Sequence, residues 1–218
     1  MKIAVLGATG GTGTQIVKQA LAAKHDVIAI VRNPDKLKEI QSSRLTIVNG
    51  DIFSEVSLTS HFKDVNAIIS CLGFERSSVV TGYTESIKPI VAAARAANVP
   101  RLIVMTAYYT EISSIESQGF LLRLVLGWLL IPLLRPKLIN MREMEKYLET
   151  ECSDINYTVV RPPGLTNGKA SGQEIKSEND SYFVKNSPSR MPRADVAKFM
   201  IDCLSKSESF KKCVAVGL

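Results

Sequence analysis

The sequence predicts an α/β fold, a single domain spanning 1–218 in which one parallel sheet is wound with helices on both faces. Three observations predict it. Short apolar, β-branched runs recur along the chain and alternate with stretches of helical spacing. These runs are near-continuously apolar, as strands covered on both faces require. The first of them passes directly into a glycine-rich turn and then a helix, the opening of a β-α-β unit.

Taken in order, "KIAVLG" reads as the first strand, and "TQIVKQALAAKH" as a helix with Ile16, Val17, Ala20 and Leu21 on one side. "DVIAIVR" is a second strand, followed by "NPDKLKEI", where Asn33 and Pro34 open a helix as cap and first-turn residue. "LTIVNGD" and "NAIISCLG" are the third and fourth strands, "SIKPIVAAARAANV" a helix and "RLIVMTA" the fifth strand. "MREMEKYLETE" is a helix of mixed charge, read as a solvated face. "NYTVVRPPG" is a sixth strand ending in a Pro-Pro-Gly turn, and "RADVAKFMIDCLSK" a late helix. "TNGKASGQEIKSENDS" is a polar loop. The stretches 107–136 and 164–192 form a small substrate-side region.

Composition narrows the function classes. The chain of 218 residues is 45% apolar and 22% charged, with 27 Lys+Arg against 21 Asp+Glu for a net charge of +6. The basic residues are dispersed, which favours anionic small ligands and points away from nucleic acid. Four cysteines without CxxC spacing fit a reducing compartment. With no cleavage signal after the first strand, the expected location is cytoplasmic. Two histidines outside any ligand-spaced cluster indicate no metal site, and there is no G-x-S-x-G elbow.

The stretch "GATGGTG", Gly7 to Gly13, carries the chemistry. Gly7 ends the strand in a tight turn, Gly10 lets backbone approach a pyrophosphate, and Gly13 lets helix pack on sheet. Gly11 lies in the same turn, and Thr9 and Thr12 add hydroxyls for phosphate oxygens or for capping. A helix N-terminus placed there presents unpaired N–H groups to an anion. This is the dinucleotide site of a Rossmann-type sheet. At the end of the second strand, where an acid would take the ribose of NAD, stands Arg32, with Lys36 and Lys38 behind it. A guanidinium matches a 2′-phosphate, so the expected cofactor is NADPH/NADP+. The alternative for the lysines is a solvated basic helix start.

With "GATGGTG", "VRNPDKL", "GDI", "CLG", "VVRPPGLT" and "RADVAKFM" in view, the chain resembles the atypical short-chain dehydrogenase/reductases with NmrA-like NAD(P)-binding domains. It looks most like their NADPH-dependent flavin reductase/biliverdin reductase B branch. The resemblance implies that Asp51 and Ile52 flank the adenine and that Leu72 and Gly73 run beside the ribose and pyrophosphate. It also implies that Thr106, Pro162, Pro163 and Gly164 border the nicotinamide. Most of the superfamily uses a Tyr-x-x-x-Lys pair. Here none of Tyr83, Tyr108, Tyr109, Tyr147, Tyr157 and Tyr182 has a lysine four residues on. Lys137 stands near the expected Tyr and Met141 near the expected Lys. Against the flavin reductase branch, Ala107 replaces a serine and Met141 a histidine. Thr106, Tyr108, Tyr109 and Met141 are thus the candidates beside the nicotinamide, the two tyrosines as substitute phenols, a stacking wall or rim packing.

"GFLLRLVLGWLLIPLLRP", whose apolar part is 120–134, is interrupted by Arg123 and broken by Pro132, too short for an integral membrane span. It reads as a buried helix or as an apolar lid in which Trp128 favours an aromatic substrate, with a dimer face and membrane-surface contact as alternatives. Two functions follow. One is an NADPH-dependent reductase of a small planar or hydrophobic acceptor such as a flavin or quinone, a monomer or weak dimer. The other is a non-catalytic NADP(H)-sensing regulator that binds a protein partner.

Overall fold

The computed structural model describes residues 1–74, 79–117, 128 and 131–218. Its main sheet has eight strands. The first six are β1 (Lys2–Leu6), β2 (Asp26–Val31), β3 (Leu45–Asn49), β4 (Ala67–Ser70), β5 (Arg101–Met105) and β6 (Asn156–Arg161), as expected. β7 (Gly164–Thr166) and β9 (Arg190–Pro192) pair with each other in a separate two-stranded sheet. β8 (Lys176–Asn179) and β10 (Lys212–Gly217) complete the main one, in the order β3-β2-β1-β4-β5-β6-β10-β8.

Every pairing in that sheet is parallel except β10 with β8, which is antiparallel. The polar stretch read as a loop therefore supplies an edge strand, exposed along most of its length. An antiparallel edge tolerates one wet face, so β8 lacks the apolar signal of the strands inside.

The period-two geometry of a strand explains the two cores. Ile3 and Val5 of β1 pack on α1 (Gly11–Ala22) and on the late helix, with Ile16, Val17, Val196 and Met200. Ala4 and Leu6 face the other layer, with Leu58 and Phe62 of α2 (Glu55–Phe62), Ile87 and Ile90 of α3 (Gly82–Ala96), and Met144 and Leu148 of α4 (Ile131–Glu151). The late helix is α5 (Arg193–Asp202).

Three local expectations change. The turn after β2 is a single 3-10 turn over Pro34–Leu37, although Asn33 caps it as anticipated by accepting from the Asp35 N–H at 3.0 Å. α2 was not foreseen; its start is marked by Ser54, whose side chain accepts from the Ser57 N–H at 3.3 Å. α4 runs farther upstream than "MREMEKYLETE" and takes in Pro132, which does not break the run there. Arg123 and most of the apolar segment lie outside the described residues. Of its described part, Ile131 is buried while Trp128 is 85% exposed. Among the described residues, no helix is long and apolar enough to cross a membrane.

Candidate functional site

The strand order reverses between β1 and β4, so the connections leaving their carboxyl ends diverge and open a crevice. The registers align those ends: Leu6 pairs with Ser70, Ser70 with Val104 and Met105 with Val160. The residues just beyond each strand thus gather on one edge. There lies a cleft of about 570 Å³.

The glycine turn forms its floor. Gly7 adopts φ +73°, and a Cβ on it would stand 2.7 Å from the Cys71 carbonyl oxygen at the end of β4. The Gly10 N–H donates to the Gly7 carbonyl at 2.9 Å, closing the turn. Gly13 does not line the cleft; it lies beneath it, where a Cβ would meet the Gly7 carbonyl oxygen at 2.1 Å. Gly10 is the N-cap of α1 and offers no side chain to the first turn, which also carries no acid. The N-terminal N–H groups of α1 therefore point into the cleft without a capping oxygen, a donor set suited to an anion.

Around this floor the cleft collects most of the residues expected from the sequence. Gly7, Thr9, Gly10, Gly11, Thr12, Arg32, Ile52, Leu72, Gly73, Thr106, Met141, Pro162 and Pro163 all line it. Among the described residues its charged lining groups are Arg32, Lys137 and Arg193, with no carboxylate beside them. A nucleotide phosphate fits this balance. Lys38 is taken by Asp35 at 2.7 Å, so it does not share in the pattern of Arg32.

Four expected residues stand elsewhere. Asp51 is exposed and its carboxylate accepts from the Phe53 N–H at 2.9 Å, leaving Ile52 and Phe53 to form the wall there. Gly164 opens β7 and donates its N–H to the Ser189 carbonyl at 3.0 Å. Tyr108 is buried behind β10: its hydroxyl donates to the Val216 carbonyl at 2.8 Å and accepts from the Val184 N–H at 3.2 Å. Burial pushes its phenol up to about 12. Tyr109 packs on Tyr108 and Phe183, with ring centroids 5.7 and 5.9 Å away. Of the three roles considered, these contacts are those of packing.

α4 brings Leu134, Lys137, Leu138 and Met141 to the cleft at helical spacing. Lys137 donates to the Phe74 carbonyl at 3.2 Å and sits 5.9 Å from the Tyr83 ring centroid. Tyr83, from the first turn of α3, also lines the cleft, edge-on to Phe74 at 4.9 Å. Among the described residues, its buried hydroxyl makes no hydrogen bond of full geometry. Burial pushes this phenol up to about 12, partly offset by the Phe74 backbone.

Behind the lining lies a network that sequence reasoning missed. Thr106 Oγ1 donates to Glu145 Oε1 at 2.8 Å, and Thr110 Oγ1 to Oε2 at 2.9 Å. Arg161 clasps the same carboxylate with Nε at 3.0 Å and Nη2 at 2.7 Å. Glu145 is 0% exposed and Arg161 1%. "MREMEKYLETE" is thus not a wholly solvated face. The available signal was helical phase: Met141, Met144 and Leu148 define a buried stripe, and Glu145 falls on it.

A family model described as NAD(P)H-binding matches residues 7–207 of this chain. An uncharacterised chloroplastic protein of Arabidopsis thaliana is 30% identical over 99% of this chain and 76% of its own length. An isoflavone reductase homolog of Solanum tuberosum is 33% identical over 46% of this chain and 33% of its own length. Among solved structures, an anaerobillin reductase from Escherichia coli superposes with a TM-score of 0.72 at 21% identity, covering 99% of this chain and 96% of that one.

Proposed function

Since the chain belongs to the NAD(P)H-binding family and so takes NAD(P)H as its cofactor, we propose that it is an NADPH-dependent reductase passing hydride to a planar, oxidised small molecule such as a flavin or quinone. The observation that carries this reading is the cleft itself, cationic along the glycine turn and apolar where Met105, Ala107, Leu134, Leu138 and Met141 meet Thr106 and the two prolines. The flavin reductase-like branch, a cytoplasmic location and a monomeric or weakly dimeric state belong to the same proposal. The free, buried state of all four cysteines supports a reducing compartment.

When bound, the dinucleotide supplies the hydride. The work of the protein is to bind and to orient. The N-terminus of α1 holds the pyrophosphate, Arg32 the 2′-phosphate, and Ile52 with Phe53 the adenine. Thr106, locked by Glu145, and the wall of Met141, Pro162 and Pro163 set the plane on which an acceptor stacks. Excluding water and fixing that stack supply most of the rate. No Tyr-x-x-x-Lys pair is present to protonate a simple ketone or alcohol oxygen, so an acceptor that takes its proton from water is favoured.

Purified protein with NADPH and a panel of FMN, riboflavin, a quinone, a redox dye and biliverdin should consume NADPH at 340 nm with at least one acceptor. NADPH binding without turnover on any of them would replace this reading with the NADP(H)-sensing regulator. Arg32→Ala should weaken NADPH about 10-fold or more, given the strength of charge-assisted bonds to phosphate, and leave NADH within about twofold. Equal losses for both dinucleotides in a fluorescence titration would refute the 2′-phosphate role.

A further inference from the structure

The turn logic accounts for Gly7, Gly10 and Gly13 and leaves Gly11 without a reason. A Cβ at Gly11 would lie 2.7 Å from Arg193 Cδ and 2.8 Å from its Nε. Gly11 is the first residue of α1 and Arg193 the first of α5, and these helices pack together, tied by Gln19 Nε2 donating to the Ala194 carbonyl at 2.8 Å. The arginine stem therefore lies across the uncapped first turn of α1, and only a residue without a side chain leaves it that path.

We propose that Arg193 is a second arm of the pyrophosphate site, closing over the dinucleotide from α5 while the N–H groups of α1 hold it from below. The guanidinium borders the cleft, and its Nη1 donates to Asn167 Oδ1 at 2.7 Å, which fixes its orientation. Among the described residues it meets no carboxylate. The nearest acid in sequence, Asp195, instead accepts from the Ser171 N–H at 3.0 Å. A buried or half-buried arginine whose fork is aimed but not neutralised is suited to a phosphate oxygen. The proposal rests on the reading that the dinucleotide lies along the glycine turn. It assigns to Arg193 what Arg32 does not supply: recognition of the part shared by NADPH and NADH.

The two arginines are thereby separable. Dissociation constants for NADPH and NADH by fluorescence titration, with adenosine 2′-phosphate as competitor, test them on the intact chain. Arg193→Gln removes the charge; its shorter side chain ends at the Nε position and so gives up the bond to Asn167 as well. It should weaken NADPH and NADH alike, by about 10-fold, and leave adenosine 2′-phosphate unchanged. The deficit should shrink as ionic strength rises, as an electrostatic contact requires. Arg193→Lys should recover part of the loss. Unfolding midpoints matching the wild type separate a lost contact from a damaged fold. NADPH and NADH affinities of Arg193→Gln within twofold of the wild type, or a deficit indifferent to salt, would overturn the proposal. Failure of the wild-type chain to bind either dinucleotide would instead overturn the placement of the cofactor.

Discussion

Replacing Glu145 with alanine is expected to cost the fold about 3–5 kcal/mol, a fall of roughly 10 °C in unfolding midpoint for a chain of this size. The carboxylate is fully buried and accepts from Arg161 twice, from Thr106 and from Thr110. Without it, the Arg161 guanidinium stays sealed in the same place, keeping the Ser181 carbonyl at 2.9 Å and the Tyr182 ring at 4.2 Å as its partners. Neither neutralises a charge held out of water, so most of the loss comes from the partner left behind. Glu145→Leu combined with Arg161→Met removes both charges and should recover a large part of the stability, because an apolar pair of similar volume replaces the ion pair. Calorimetry on the single and double variants decides the matter. A double variant less stable than the single one would mean that the pair, and not its orphaned half, holds this region together.

Gly13→Ala should weaken dinucleotide binding by more than about 30-fold and destabilise the chain by about 1–3 kcal/mol or more. The added methyl would stand 2.1 Å from the Gly7 carbonyl oxygen and 2.8 Å from Ala8 Cα. Both are backbone, so no side chain can swing away. Either α1 lifts off β1 or the turn at Gly7 opens, and each displaces the N–H groups that face the cleft. Gly168→Ala is the control: its Cβ would meet only Thr166 Oγ1, at 3.9 Å, and its φ lies outside the left-handed region. The control should bind as the wild type does. Comparable loss in both variants would point to general sensitivity to glycine replacement.

Much of the cleft was legible before the tertiary structure because its key requirement is local. The turn closes between Gly7 and Gly10 and the helix packs over Gly13, all within one short stretch. Arg32 after β2 was legible from its place at a strand end, and the residues after β4, β5 and β6 from the family resemblance, for which the topology supplies the reason. Once a sheet is doubly wound, the ends of its strands share one edge, and strand order places them there without any side chain being known. Tyr108 shows where that route stops. It follows β5 in the chain as Thr106 does, yet its hydroxyl is claimed by Val216 and Val184, from segments far along the sequence.

The sequence by itself determined the buried parallel strands, the glycine-rich turn after β1 and the basic residue at the end of β2. Each rests on neighbours within about one helical turn or on a periodicity the chain repeats. Only the tertiary structure decided that Glu145, on the buried stripe of its helix, is the partner that neutralises Arg161, that a polar loop becomes the antiparallel edge β8, and that Arg193 lies against Gly11. In each of these a charge or an open backbone meets its partner only once distant segments are folded together, and a buried charge or N–H has no acceptable state until that partner arrives.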